Sequence, residues 1–149
     1  MSSPATESET PKGPKGAVGL RNLGNSCYAN AAIQALRQVT EMTYLCLAES
    51  SELKKKHDNH SGNLFEAYKD LIKTIWSAHH PSYVSPDAFK RDLLIAAHRS
   101  GYDQFLGREQ QDAHEFMMFL LDQIFEGTKE EVNFIIQRAP ARNLSLIHI

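Results

Sequence analysis

Apolar residues recur at three- and four-residue spacing in four separate stretches of this chain, a period that suits helices and excludes strands over most of its length. The first stretch starts at or near Cys27, with Ser26 or Asn25 as its cap, and puts Ala29, Ala32, Ile33 and Leu36 on one face. The second, about Asn63 to Ser77, aligns Leu64, Tyr68, Leu71, Ile72 and Ile75, with Ser61-Gly62-Asn63 as punctuation at its start. The third takes Ser85 as cap and Pro86 as its first helical residue, carries Phe89, Leu93, Leu94 and Ala97, and stops before Gly101. The fourth runs about Glu109 to Glu126, with Ala113, Phe116, Met117, Leu120, Leu121 and Ile124 on the buried face and Gly127 as its stop. Thr40–Glu49 suggests a further short helix. Extended structure is expected at Ala17–Leu20, with Val132–Gln137 as the other candidate. The fold class expected is mainly α.

Met1–Gly16 holds Ser, Thr, Glu, Pro, Lys and Gly with almost no apolar content. It cannot bury enough surface to offset its ordering entropy and reads as a disordered tail. The remaining length suffices for one domain with one core. A net charge of −2 and an isolated Lys54-Lys55-Lys56 give no basic patch for a nucleic acid. No apolar run approaches the roughly 20 residues that span a bilayer, so no membrane partner is expected. The N-terminus has no apolar signal-peptide core. Two cysteines, Cys27 and Cys46, make no disulfide framework, and a reducing compartment, cytoplasm or nucleus, is the default.

Cys27 stands at the junction of the turn-forming run Arg21–Ser26 and an Ala-rich helix. A lone cysteine beside Ala and Ile is more often a small buried hydrophobe than a nucleophile. A helix start, however, offers unpaired amides and a dipole that favour a thiolate. A thiolate attacking a carbonyl creates an oxyanion that needs donors roughly 3 Å away. The Cys27 amide can supply one donor, and the side-chain amide of Asn22 or Asn25, folded back by Gly24, another.

The stretch GLRNLGNSCYANAAIQAL, Gly19–Leu36, resembles the cysteine box of the ubiquitin-specific proteases. Gly19, Leu20, Asn22, Leu23, Gly24, Asn25, Cys27, Tyr28, Asn30, Gln34 and Leu36 match its usual form. Ser26 stands for the usual Thr, Ala29 for a common Met and Ile33 for the common Leu. A second motif, Gln110-Gln111-Asp112-Ala113-His114-Glu115-Phe116, resembles the family's Gln-Gln-Asp-Ala-x-Glu-Phe segment.

The resemblance covers about Val18 to Glu126. It implies the helical thumb of a papain-like α+β cysteine protease, with the sheet-rich palm and fingers following later. It implies Cys27 as the nucleophile and Asn22 as the oxyanion-hole side chain. Gln110, Gln111, Asp112 and His114 would line the channel for ubiquitin's C-terminal tail, Leu-Arg-Leu-Arg-Gly-Gly. Asp112 would accept charge-assisted bonds from its arginines; Glu115 could be only a helix-surface charge. The partners implied are ubiquitin and ubiquitinated proteins. No cofactor or metal is needed for this chemistry. Some members carry a structural zinc in the fingers, and no zinc motif occurs here.

Other residues read as structure. His114-Glu115 opens like a zinc-protease helix motif, but Met118 holds the place of its second histidine. His57, His60, His79 and His80 lack clustered ligands and read as solvated loop residues. Cys46 reads as core, Trp76, Tyr83 and Phe105 as packing anchors, and Met117 and Met118 as core filling.

A cysteine protease also needs a general base and an orienter. The family's Gly-His-Tyr box does not occur in this sequence, and His57, His60, His79, His80, His98 and His114 all fall in the thumb-like region. His148 lies in LSLIHI, Leu144–Ile149. That is the translation of CTGTCTCTTATACACATC, which resembles a transposase sequencing adapter, so these residues are read as non-native. The native thumb segment expected is then Ala17–Asn143, with the protein continuing past it. The alternative to an enzyme is a non-catalytic ubiquitin-binding or scaffolding module that keeps the thumb and lacks the base.

Overall fold

The computed structural model describes residues 13–48 and 59–138, with side chains as far as Lys129. Most of the tail read over Met1–Gly16 lies outside these residues, as do His57 and Leu144–Ile149. The described chain is mostly helical: α1 Cys27–Leu36, α2 Thr40–Leu47, α3 His60–Ile75, α4 Asp87–Arg99, a 3-10 turn Asp103–Phe105, and α5 Ala113–Arg138. Two short strands, β1 Gly19–Leu20 and β2 Tyr83–Val84, pair in parallel, Gly19 beside Tyr83 and Leu20 beside Val84.

Helix α3 is the hub. It packs on α5, α4 and α2, while α1 packs on α5. Its buried residues Leu64, Phe65, Tyr68, Leu71, Ile72 and Ile75 cover more than one face, as a helix contacted on several sides requires. Cys46 of α2 is buried in this core, as its apolar setting implied. Helix α1 also tethers the strand beside it. Asn30 Nδ2 donates to the Leu20 and Arg21 carbonyls, and Gln34 Nε2 to the Val18 carbonyl.

Several boundaries differ from the sequence expectation, each for a tertiary reason. Gly127 does not stop the fourth helix, and Val132–Gln137 is helical within α5. A Cβ on Gly127 would lie 2.6 Å from the Ser61 backbone oxygen and 2.9 Å from Phe65 Cβ. The glycine is there because α5 crosses α3 at that point, not because the helix ends. The same crossing explains why Ser61-Gly62-Asn63 is helical: α3 begins at His60. Ser61 Oγ donates to Gln123 Oε1 at 2.9 Å, Gln123 Nε2 donates to Ser100 Oγ, and Ser100 Oγ meets His60 Nε2. This polar chain joins α3, the end of α4 and α5. It makes His60 a half-buried helical residue rather than a solvated loop one.

His80 is likewise buried, with Nδ1 near the Pro81 carbonyl. At α4, Pro86 occupies the cap position, and the Ser85 hydroxyl donates to the Asp87 carboxylate instead of capping the backbone. Order is already present at Gly16, which is buried, its φ positive and its backbone against the Trp76 ring.

Side-chain burial corrects three further readings. Phe105 is buried, but Tyr83 is 64% exposed on β2. Met117 packs against the core, whereas Met118 is 53% exposed, and Ala113 is exposed too. Leu120 and Ile124 are buried. Among the described side chains, the large apolar ones that α5 leaves in solvent are Met118 and Phe125, seven residues apart and hence on one face.

Candidate active site

The turn before α1 is built on a single side chain. Asn22 Oδ1 accepts from the Gly24 amide at 2.9 Å, the Ser26 amide at 3.2 Å and the Ser26 hydroxyl at 3.1 Å. The chain can close this way because Gly24 and Asn25 both take positive φ, 99° and 48°, tolerated by glycine and more readily by asparagine than by most residues. Ser26 Oγ also accepts from the Leu23 amide. Its hydroxyl is thus committed to the turn, and Ser26 makes no side-chain bond to the first amides of α1. That leaves the helix start uncapped beside Cys27, whose side chain is exposed. With the Asn22 oxygen occupied by three donors, its amide orientation is set, and Nδ2 is the group left for another acceptor.

The second motif docks on this turn. Asn25 Nδ2 donates to the Arg108 carbonyl at 2.8 Å, Gln110 Nε2 faces Asn25 Oδ1 at 3.4 Å, and the Cys27 thiol donates to Gln110 Oε1 at 3.0 Å. Lys90 Nζ of α4 reaches the Leu23 carbonyl from the other side. Among the described residues no imidazole is hydrogen-bonded to Cys27.

The expected tail-channel residues divide. Gln110 touches the cysteine itself. Asp112 sits at the head of α5, where its Oδ1 accepts from the Glu115 amide at 2.8 Å and its carbonyl from the Phe116 amide. That is an N-cap, and the Asp-x-x-Glu spacing of Asp112 and Glu115 signals it in the sequence. Glu115 does not complete the box; its carboxylate accepts from Gln104 Nε2. Gln111 is half-buried and His114 exposed, and neither is bonded to the cysteine turn.

Beneath the turn lies an aromatic cluster. Tyr28, one residue after the cysteine, meets the Phe116 ring edge-on at 5.4 Å and stacks near Phe105 at 6.2 Å. Phe105 in turn contacts Phe116 and Phe119, each at 5.3 Å. The cluster fixes α1 to the first turns of α5, so the two motifs share one rigid footing. Burial, and secondarily the adjacent Cys27, push the Tyr28 phenol above its ordinary range.

The family model for ubiquitin carboxyl-terminal hydrolases matches residues 18–148, nearly the whole chain. The chain belongs to the ubiquitin carboxyl-terminal hydrolase family. It is 36% identical over 149 residues to ubiquitin carboxyl-terminal hydrolase 2 of Bos taurus, covering 99% of this chain and 23% of that protein. The Homo sapiens protein of the same name is also 36% identical, again with 23% of it covered. Ubiquitin carboxyl-terminal hydrolase 15 of Xenopus tropicalis is 38% identical over 137 residues, 12% of its length. The chain thus spans less than a quarter of these hydrolases. Its mostly helical make-up is that of one part of the hydrolase fold.

Proposed function

We propose that this chain is the nucleophile-bearing part of a cysteine-type deubiquitinase. The substrate would be the amide or isopeptide bond after ubiquitin's C-terminal glycine. The observation that carries the reading is the docking of the two motifs on each other, with an exposed cysteine at an uncapped helix start between them. In this reading the Cys27 sulfur, its proton taken by a base, attacks the glycine carbonyl carbon. The electron pair of the C=O bond moves to oxygen, which the Asn22 Nδ2 and the Cys27 amide would receive. Collapse expels the amine, which takes a proton, and leaves a thioester. Water hydrolyses that thioester and regenerates the thiol. A ubiquitin probe with a C-terminal electrophile should couple to the full-length protein at Cys27 and not at the buried Cys46. Coupling that survives Cys27→Ala would overturn the assignment.

The same reading gives Asp112 two tasks, the α5 cap and a charge for the arginines of the ubiquitin tail. Asp112→Asn keeps an N-cap oxygen and removes the charge. It should lower kcat/KM on a fluorogenic ubiquitin substrate about tenfold, the scale of one charge-assisted bond, with little change in melting temperature. Asp112→Ala should add a loss of about 1 kcal/mol of stability from the missing cap. An unchanged kcat/KM in Asp112→Asn would leave Asp112 as a cap alone.

A further inference from the structure

The carboxamide of Gln110 lies between Asn25 and Cys27, and its orientation is set by the backbone. A carbonyl only accepts. The Arg108 carbonyl therefore selects the Nδ2 side of Asn25, at 2.8 Å. Asn25 then turns Oδ1 toward Gln110 and selects the Nε2 side of that amide. Gln110 is left presenting Oε1 to the sulfur at 3.0 Å. Amide orientations are assigned from such networks, and here the network has one consistent direction. Its last link can be made by a thiol, which has a proton to donate, and not by a thiolate.

We propose that Gln110 is a latch on the nucleophile: oriented through Asn25 by the Arg108 carbonyl, it holds Cys27 as the hydrogen-bonded thiol until an incoming peptide N–H takes Oε1 away. The proposal rests on the reading of Cys27 as the nucleophile and adds a resting state to it. Gln110 contacts the reacting sulfur; Asn25 is a positioning residue. The weakest link is Asn25 to Gln110, at 3.4 Å. Turning the amide over about its own axis would break that link and bring Nε2, a donor, to the sulfur. The same side chain could then support the thiolate it had excluded.

The test measures iodoacetamide labelling rates in the 149-residue chain, with sites mapped by mass spectrometry. Gln110→Ala removes the acceptor. Asn25→Gly keeps Gln110 but removes its orienter, together with the bond to the Arg108 carbonyl, and suits the positive φ at that position. Gln110→Glu supplies a stronger acceptor that repels a thiolate. The latch requires Cys27 to label about two- to tenfold faster in Gln110→Ala and Asn25→Gly, the scale of one hydrogen bond, and slower in Gln110→Glu. A loop-packing role alone would move Ala and Glu in the same direction, and that result would overturn the latch. Unchanged rates in all three would overturn it too. Cys46, 1% exposed, reports folding in every variant; where it labels, the remaining variants decide. If Cys27 in the parent is no more reactive than Cys46, the nucleophile reading fails. If Cys27 is reactive and the variants leave it unmoved, only the latch fails.

Discussion

The purified 149-residue chain is expected to leave ubiquitin substrates intact. It holds the proposed nucleophile and the turn that would receive an oxyanion, yet among the described residues the partner of the Cys27 sulfur is a carboxamide, not an imidazole. A carboxamide does not accept a proton at neutral pH, so nothing seen there can act as general base. Removing one member of a cysteine or serine catalytic set costs roughly four to six orders of magnitude in rate, because the members act as a unit. Incubation with a ubiquitin C-terminal fluorogenic substrate should therefore give release indistinguishable from that of Cys27→Ala. Robust release that depends on Cys27 would refute this and point to an imidazole already present. His114, exposed on the first turn of α5, would be the first to substitute.

The second large effect is structural. Replacing Gly127 should destabilise the fold, although local helix propensity argues the opposite. Glycine in a helix interior costs about 1 kcal/mol relative to alanine, so an isolated helix would gain from Gly127→Ala. In the folded chain the new Cβ would sit 2.6 Å from the Ser61 carbonyl oxygen, a backbone atom that cannot rotate away. Helix α5 would have to lift from α3, opening the contact beneath Phe65. Overpacking of this kind costs about 1–3 kcal/mol and sometimes more. Gly127→Ala should thus be destabilising on balance, and Gly127→Leu should lose about 3 kcal/mol. Urea unfolding followed by circular dichroism measures both. A stabilised Gly127→Ala would mean that the crossing relaxes without cost.

Gly127 also shows where the sequence stops being readable. The apolar period of the fourth stretch gave the right element and the wrong end. A glycine after a run of helix formers looks the same whether it ends a helix or lets another helix approach. Only the position of Ser61, far away in the chain, distinguishes the two. Ser61-Gly62-Asn63 misled for the same reason. The helical faces were legible because Leu64, Tyr68, Ile72, Phe116 and Leu120 carry their period in their own spacing. The cysteine turn was legible because its residues are contiguous; Ser26 does take the cap position, although its hydroxyl braces the turn instead of bonding the helix amides. The Asp112 cap has a local signature, Asp-x-x-Glu, beside the binding role that the family resemblance implies. The contacts among Asn25, Arg108, Gln110 and Cys27 had no local signature at all, since each joins residues more than 80 positions apart.

That separation has a consequence during synthesis. The acceptor facing the cysteine lies 83 residues downstream of it. At about 5–20 residues per second, Cys27 leaves the ribosome several seconds before Gln110 exists to meet it. Over that interval the thiol is on an emerging chain that lacks its Gln110 partner. The contact between the two motifs is made only after the second has been synthesised, so slowing the ribosome between them would delay it.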